Sequence, residues 1–268
     1  MNKHAIITGG SSGIGKSVAK LLARDGINIS LIARNIDKLK TAEREIAEVA
    51  KDSKIKILSF VADVAQKAEI TSAIEKAIAE QGTPDLLITS AGTVTPGYFA
   101  EMAVETCEQT MGVNYFGSLY AVKAVFPSMK QAKRGHIVFI SSGAGLIGLF
   151  GYSAYSPSKF ALKGLAESLR GELKPHNISL SIVYPPDTDT PQLTDENKTK
   201  PPETKAITAT GGTWSAEGVA KEIVKGIKKQ QFAITPGLEM RILNRFYSVI
   251  APLLQKYFDR IVRNSSKL

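Results

Sequence analysis

Cysteine is almost missing from this chain. Cys107 is the single cysteine among 268 residues, so no intramolecular disulfide forms, a reducing compartment is the expectation, and the side chain reads as a small buried one. Histidine is scarce as well. His4, His136 and His176 stand far apart, with no cysteine or carboxylate cluster at ligand spacing, so no metal site is expected. Trp214 is the lone tryptophan; it stands just ahead of a helical stretch and reads as a packing residue. No run of roughly 18 uncharged apolar residues occurs, which argues against a spanning helix. The opening, MNKHAIITGG, enters a strand almost at once and leaves no room for a secretory signal ahead of it. No repeat of the solenoid kind is found.

What is present is ordinary for a globular domain: 43% hydrophobic and 22% charged residues. The net charge of +9 is uneven, for thirteen Lys and Arg face five Asp and Glu between Lys198 and Leu268. A basic C-terminal quarter suits an anionic surface, or is a solvated face without a partner. No nucleic-acid module is recognisable, so no nucleic-acid partner is expected.

In chain order, HAIIT reads as a buried strand, TGGSSGIGK as a glycine loop, and SVAKLLARDG as a helix. Gly9, Gly13 and Gly15 let the backbone turn tightly and approach a pyrophosphate, whose charge a helix N-terminus favours. INISLIAR is a second strand. It ends in Ala33 and Arg34 rather than in an acid, and a guanidinium grips a 2′-phosphate, so NADPH is favoured over NADH. A helix over 35–51, a strand ending at Asp63, a helix closed by Gly82 and the strand DLLIT before SAG continue the alternation. That alternation predicts a single Rossmann-like, doubly wound parallel α/β sheet of about seven strands, with helices on both faces. Asp63 suits an adenine amino group or a helix N-cap. Asn114 falls inside a helical stretch, where asparagine is a poor fit unless exposed or bent toward a site.

Further on, GHIVFIS delivers Ser142, and a helix from Tyr155 to Leu173 carries Lys159 four residues after the tyrosine. Positions i and i+4 share a helix face, and an ammonium near a phenol favours its ionised form. ISLSIVY is the next strand. PPDTDTP and the stretch LTDENKTKPPET after it show no period and read as a mobile substrate flap over about 186–212. A helix over 216–229 and the strand QFAIT close a domain over 1–237. The remainder, 238–268, reads as a basic amphipathic helix, broken or kinked near Pro252, suited to a membrane interface, a second subunit or its own core.

Together TGGSSGIG, Asp63, SAG, Asn114, Ser142 and YSPSK resemble the short-chain dehydrogenase/reductase family over roughly 4–235. The resemblance implies that Tyr155 is the acid/base, that Ser142 orients the carbonyl, and that Lys159 lowers the tyrosine pKa and holds the nicotinamide ribose. Asn114 would support a relay water. Cofactor contacts are expected at Gly9, Ser11, Ser12, Gly13, Ile14, Gly15, Arg34, Asp63, Val64, Ala91, Gly92, Tyr155, Lys159, Pro185, Thr188 and Thr190. Ser90 and Pro186 depart from the family's usual asparagine and glycine, and the second change falls in the loop facing nicotinamide and substrate.

LFGYSAYSPSKFALKGLAE, YPPDTDTP and ENKTKPPET look like the branch of 3-ketodihydrosphingosine reductases. This implies NADPH-dependent reduction of a long-chain 3-ketosphingoid base, in a cytoplasmic protein peripheral to a membrane, at the cytosolic face of the endoplasmic reticulum in a eukaryote. A homo-oligomer, dimer or tetramer, is expected. The alternatives are a family member acting on another lipophilic, steroid-like ketone or alcohol, and a non-catalytic NADPH-binding protein of membranes.

Overall fold

The computed structural model describes residues 3–50 and 54–265. The elements in order are β1 (His4–Thr8), α1 (Gly13–Arg24), β2 (Asn28–Ala33), α2 (Ile36–Val49), β3 (Ile57–Val61), α3 (Lys67–Gln81) and β4 (Leu86–Thr89). After these come α4 (Val104–Met111), α5 (Gly117–Ala132), β5 (Gly135–Ile140), α6 (Tyr155–Leu173) and β6 (Ile178–Val183). The chain ends with β7 (Thr188–Asp189), α7 (Pro191–Thr199), α8 (Pro202–Thr208), β8 (Trp214–Ser215), α9 (Ala216–Lys228), β9 (Ala233–Ile234) and α10 (Gly237–Ser265). The final residue of the second expected helix, Lys51, lies outside the described residues.

Seven strands form one parallel sheet in the order β3-β2-β1-β4-β5-β6-β9. The order reverses between β1 and β4, which opens a crevice at the carboxyl ends of those strands. β1 is buried at all five positions, as a central parallel strand covered on both faces must be. Alternate side chains serve opposite layers. Ile6, Ile32, Ile137 and Phe139 pack with α3, α5 and α6 through Ile74, Val125 and Leu162. Ile7, Leu31, Val138 and Ile140 pack with α1, α2 and α9 through Val18, Ile46 and Ile223.

Three features differ from the sequence reading. The helical stretch around Asn114 is continuous but underwound: Gly112–Phe116 is a π segment between α4 and α5. The stretch without a period forms α7 and α8, with Glu196, Lys200, Glu203 and Thr204 buried. Apart from Ile207, polar side chains occupy the inward positions there, so no apolar stripe marks either helix. Finally, α10 runs across Pro252 without interruption.

Candidate active site

The glycine loop closes against the opposite wall of the crevice. Gly9 and Gly13 have φ of 68° and 52°, conformations that disfavour any side chain. A Cβ on Gly9 would stand 2.6 Å from the Ala91 nitrogen, and one on Gly15 would stand 2.6 Å from the Gly9 carbonyl oxygen. Ser12 caps α1 in extended backbone without a side-chain hydrogen bond, and no acid occupies the first turn. The α1 amides therefore face the crevice in the arrangement that accepts a phosphate. Thr190 caps α7 by accepting from the Leu193 amide at 3.3 Å, and its Cγ2 lies 3.1 Å from where a Gly13 Cβ would stand. The glycine loop and the chain after β6 thus meet.

At the ribose end, Arg34, Asn35 and Lys38 line the cleft. Lys38 escaped the sequence reading. Its signal was its place in the first turn of α2, three residues after the cap Asn35, whose Oδ1 accepts from the Lys38 amide at 2.9 Å. Asp63 and Val64 line the cleft as expected. Asp63 Oδ1 accepts from the Ala65 amide at 3.0 Å, but Asp63 is not the α3 cap, which is Gln66. The turn between them moves the helix start three residues along.

Asn114 is fully buried. Its Nδ2 donates to the Thr93 carbonyl and to Ser158 Oγ, both at 2.9 Å, and its Oδ1 accepts from the Thr93 amide at 2.8 Å. The π segment turns this polar side chain inward, against the run after β4 and the start of α6. The Asn114 carbonyl accepts from Ser118 Oγ at 3.0 Å. In this arrangement Asn114 anchors the site.

Tyr155 and Lys159 lie one turn apart at the start of α6, as their spacing predicts. Lys159 is 4% exposed, its Nζ donates to the Ile140 carbonyl at 3.1 Å, and it sits 5.6 Å from the centroid of the Tyr155 ring. Burial pulls its pKa down to about 8. The phenol does not follow the expectation of a lowered value. Burial, the largest influence, raises the Tyr155 pKa; Ser142 lowers it by hydrogen bonding; Glu196 and Asp187 raise it again. The net direction is upward because desolvation of the phenolate outweighs the one favourable hydrogen bond. Ser142 is itself held by the Ala144 amide, which donates to its Oγ at 3.1 Å.

One cavity of about 620 Å³ joins these pieces. Its lining includes every expected site residue from the glycine loop to Thr190 apart from Asn114, which sits behind the wall, and Gly15, inside α1. A Cβ on Gly92 would stand 3.3 Å from Asn114 Oδ1 and 3.6 Å from Lys159 Nζ, so Asn114 lies close behind that wall. Beyond Tyr155 the lining turns to Leu149, Tyr152, Asp187 and Glu196, and then to Ile250, Leu254 and Phe258 of α10. The C-terminal helix is therefore a wall of the cleft. Tyr152 was not singled out in the sequence as a site residue, nor were Asp187, Glu196 or Lys200, although each falls inside a stretch that carries the branch resemblance.

The remaining sequence candidates are structural. His4 and His136 lie within hydrogen-bonding distance of Ser30 and Ser181 on neighbouring strands. Cys107 is half-buried rather than buried, and its Sγ rests 3.7 Å from Met102 Sδ, because α4 lies at the surface. Trp214 packs on the α1–α9 layer.

The model of the short chain dehydrogenases matches residues 3–201, and the chain belongs to that family of oxidoreductases. The particular relatives are narrower in kind. The chain is 42% identical to a 3-dehydrosphinganine reductase of Danio rerio, over 97% of this chain and 85% of that one. It is 41% identical to a 3-ketodihydrosphingosine reductase of Mus musculus with the same coverage, and 44% identical to one of Dictyostelium discoideum, over 96% of this chain and 81% of that one. Among solved structures, a short chain dehydrogenase/reductase from Burkholderia phymatum in complex with NAD has a TM-score of 0.82 at 22% identity, covering 94% and 95% of the two chains. An alcohol dehydrogenase from Thermococcus sibiricus complexed with 5-hydroxy-NADP has 0.74 at 23%, covering 88% and 96%. The family and the glycine loop together indicate a nicotinamide cofactor. Among the described residues no helix is long and apolar enough to cross a membrane.

Proposed function

We propose that this chain reduces the ketone of a long-chain 3-ketosphingoid base to the alcohol, with NADPH as reductant. The observation that carries the reading is the single cleft that runs from the glycine loop past Ser142 and Tyr155 to the apolar wall of α10. Such a cleft has a place for each of three things: a dinucleotide, a carbonyl and an alkyl chain. Relatives named for this reaction at 41–44% identity support it.

The residues fit the cofactor. The α1 N-terminus and the glycine loop would hold the pyrophosphate, Arg34 and Lys38 a 2′-phosphate, and Lys159 the nicotinamide ribose. When bound, the reduced nicotinamide supplies a hydride to the carbonyl carbon. The protein's own part is the proton. Ser142 and Tyr155 hold the ketone oxygen, and the raised phenol pKa keeps Tyr155 protonated at neutral pH, ready to donate as negative charge develops. Lys159, with a pKa of about 8, is an acid strong enough to restore that proton. The test is NADPH oxidation on addition of 3-ketosphinganine. Turnover that disappears in Tyr155→Phe supports the reading, and an inert wild type refutes it.

The outward face of α10 supports peripheral contact with an anionic membrane. Leu238, Val249 and Leu253 are each about 70% exposed, and Arg241, Arg245, Lys256, Arg260 and Arg263 lie among them. Such a helix binds an interface through apolar area and basic charge together. Sedimentation with anionic vesicles, lost on truncation after Gly237, is the expected result. A change in oligomeric state without vesicle binding would assign the face to a second copy instead.

A further inference from the structure

Three stretches far apart in sequence converge beside the catalytic tyrosine. Tyr152 comes from LFGYSAYSPSK, Asp187 from YPPDTDTP, and Glu196 and Lys200 from ENKTKPPET. The Tyr152 hydroxyl donates to Glu196 Oε1. Lys200 Nζ lies 2.8 Å from the same Glu196 oxygen, 3.7 Å from Asp187 Oδ2 and 3.5 Å from Thr208 Oγ1. The Tyr152 ring stands 5.6 Å from that of Tyr155, centroid to centroid.

The charges do not balance. Two carboxylates share one ammonium, and the three side chains differ in exposure: 1% for Lys200, 9% for Glu196 and 34% for Asp187. Lys200 and Glu196 are therefore committed to each other, whereas Asp187 turns an open edge to the cleft. Glu239 lines the same cleft, while its lining cations, Arg34, Lys38 and Lys159, belong to the cofactor and proton-transfer side. Burial raises the Asp187 pKa, Lys200 lowers it and Glu196 raises it, with the net direction upward. That balance marks a carboxylate short of positive charge. An uncompensated charge in a desolvated place is costly unless something pairs with it.

We propose that Asp187, backed by the Glu196–Lys200–Tyr152 cluster, binds the substrate's own ammonium group and selects ketones that carry an amine on the carbon next to the carbonyl. This rests on the reading of the cleft as a 3-ketosphingoid reductase site. In such a substrate the ammonium is one carbon from the ketone. A carbonyl held by Ser142 and Tyr155 thus brings the amine alongside Tyr152 and the carboxylates. An incoming ammonium makes the cluster two anions and two cations. It also offsets the carboxylates that disfavour negative charge at Tyr155, so binding the amine eases the proton transfer it accompanies.

The test compares two ketones of equal chain length, 3-ketosphinganine and its analogue lacking the 2-amino group, on the full-length protein. The wild type is expected to show a kcat/KM about 10- to 100-fold higher for the amino ketone, the range for a hydrogen bond to a charged group. Asp187→Asn is expected to erase most of that preference by raising KM for the amino ketone, while the analogue's KM changes by less than about twofold. The N-acetylated substrate is expected to behave as the analogue does. Wild-type kinetics alike for the two ketones, or Asp187→Asn affecting both equally, overturns the inference and leaves the reductase reading standing. Turnover of neither ketone overturns both. The wild-type comparison requires no variant to fold.

Discussion

Asn114 Nδ2 donates to Ser158 Oγ at 2.9 Å, and Ser158 Oγ donates in turn to the Tyr155 carbonyl at 2.7 Å. The π segment is thereby tied to the first turn of α6, on which both Tyr155 and Lys159 depend. π segments inside helices recur at functional sites. Here the extra residue turns a buried amide toward groups that a regular helix would have left to others.

Asn114→Leu is expected to strand the Thr93 amide and carbonyl, both at least partly buried, and to remove the donor to Ser158 Oγ, which keeps its own bond to the Tyr155 carbonyl. Each unpaired buried group costs about 1–3 kcal/mol. The expected outcome is a lower midpoint in urea and a kcat reduced by roughly tenfold or more, with NADPH affinity changed little. Urea denaturation and cofactor titration, run beside the kinetics, separate these effects. Wild-type kcat in a stable variant would remove Asn114 from the account.

Arg34→Asp is expected to raise the KM for NADPH by about 10- to 100-fold, the loss of a charged pair with repulsion added, and to leave the KM for NADH within a few fold. Lys38→Ala is expected to act in the same direction and less strongly. The ratio of the two KM values is the readout. An unchanged ratio in both variants would show that the end of β2 does not read the ribose phosphate.

Lys159 makes a prediction about pH. Its pKa in the fold, about 8, lies below its ordinary value of 10.5. Between those values the unfolded chain holds a proton that the folded one has lost, so this group's share of stability rises with pH across that window and is unfavourable below it. Lys159→Met is therefore expected to be at least as stable as the wild type near pH 7, with its advantage shrinking toward pH 10, and to be inactive throughout. Urea midpoints of the two proteins at several pH values check the sign. A wild type that loses ground to the variant as pH rises would contradict it.

The sheet was legible because its signals are dense. HAIIT, buried at every position, can only be a central strand, and α6 begins at Tyr155 and ends at Leu173, as its apolar spacing indicates. The placement of Tyr155 beside Lys159 was legible because an i, i+4 pair after a strand leaves few arrangements. Three things were hidden. α7 and α8 bury Glu196, Lys200, Glu203 and Thr204, so hydrophobic period says nothing about them. Desolvation of Tyr155 depends on long-range packing, which residue spacing does not report. The part of α10 that faces the cleft could not be told from the part that faces outward, since Ile250 and Leu253 are equally apolar in sequence and differ only in what the fold sets against them.

The most direct measurement is product analysis. Purified protein is incubated with 3-ketosphinganine and NADPH, and sphinganine and NADP+ are quantified together by mass spectrometry and absorbance. The account predicts equal amounts of the two products from the wild type, with formation of both reduced by about 100-fold or more in Tyr155→Phe while that variant still binds NADPH. Sphinganine formation at near-wild-type rate by Tyr155→Phe, or none by the wild type, would contradict it.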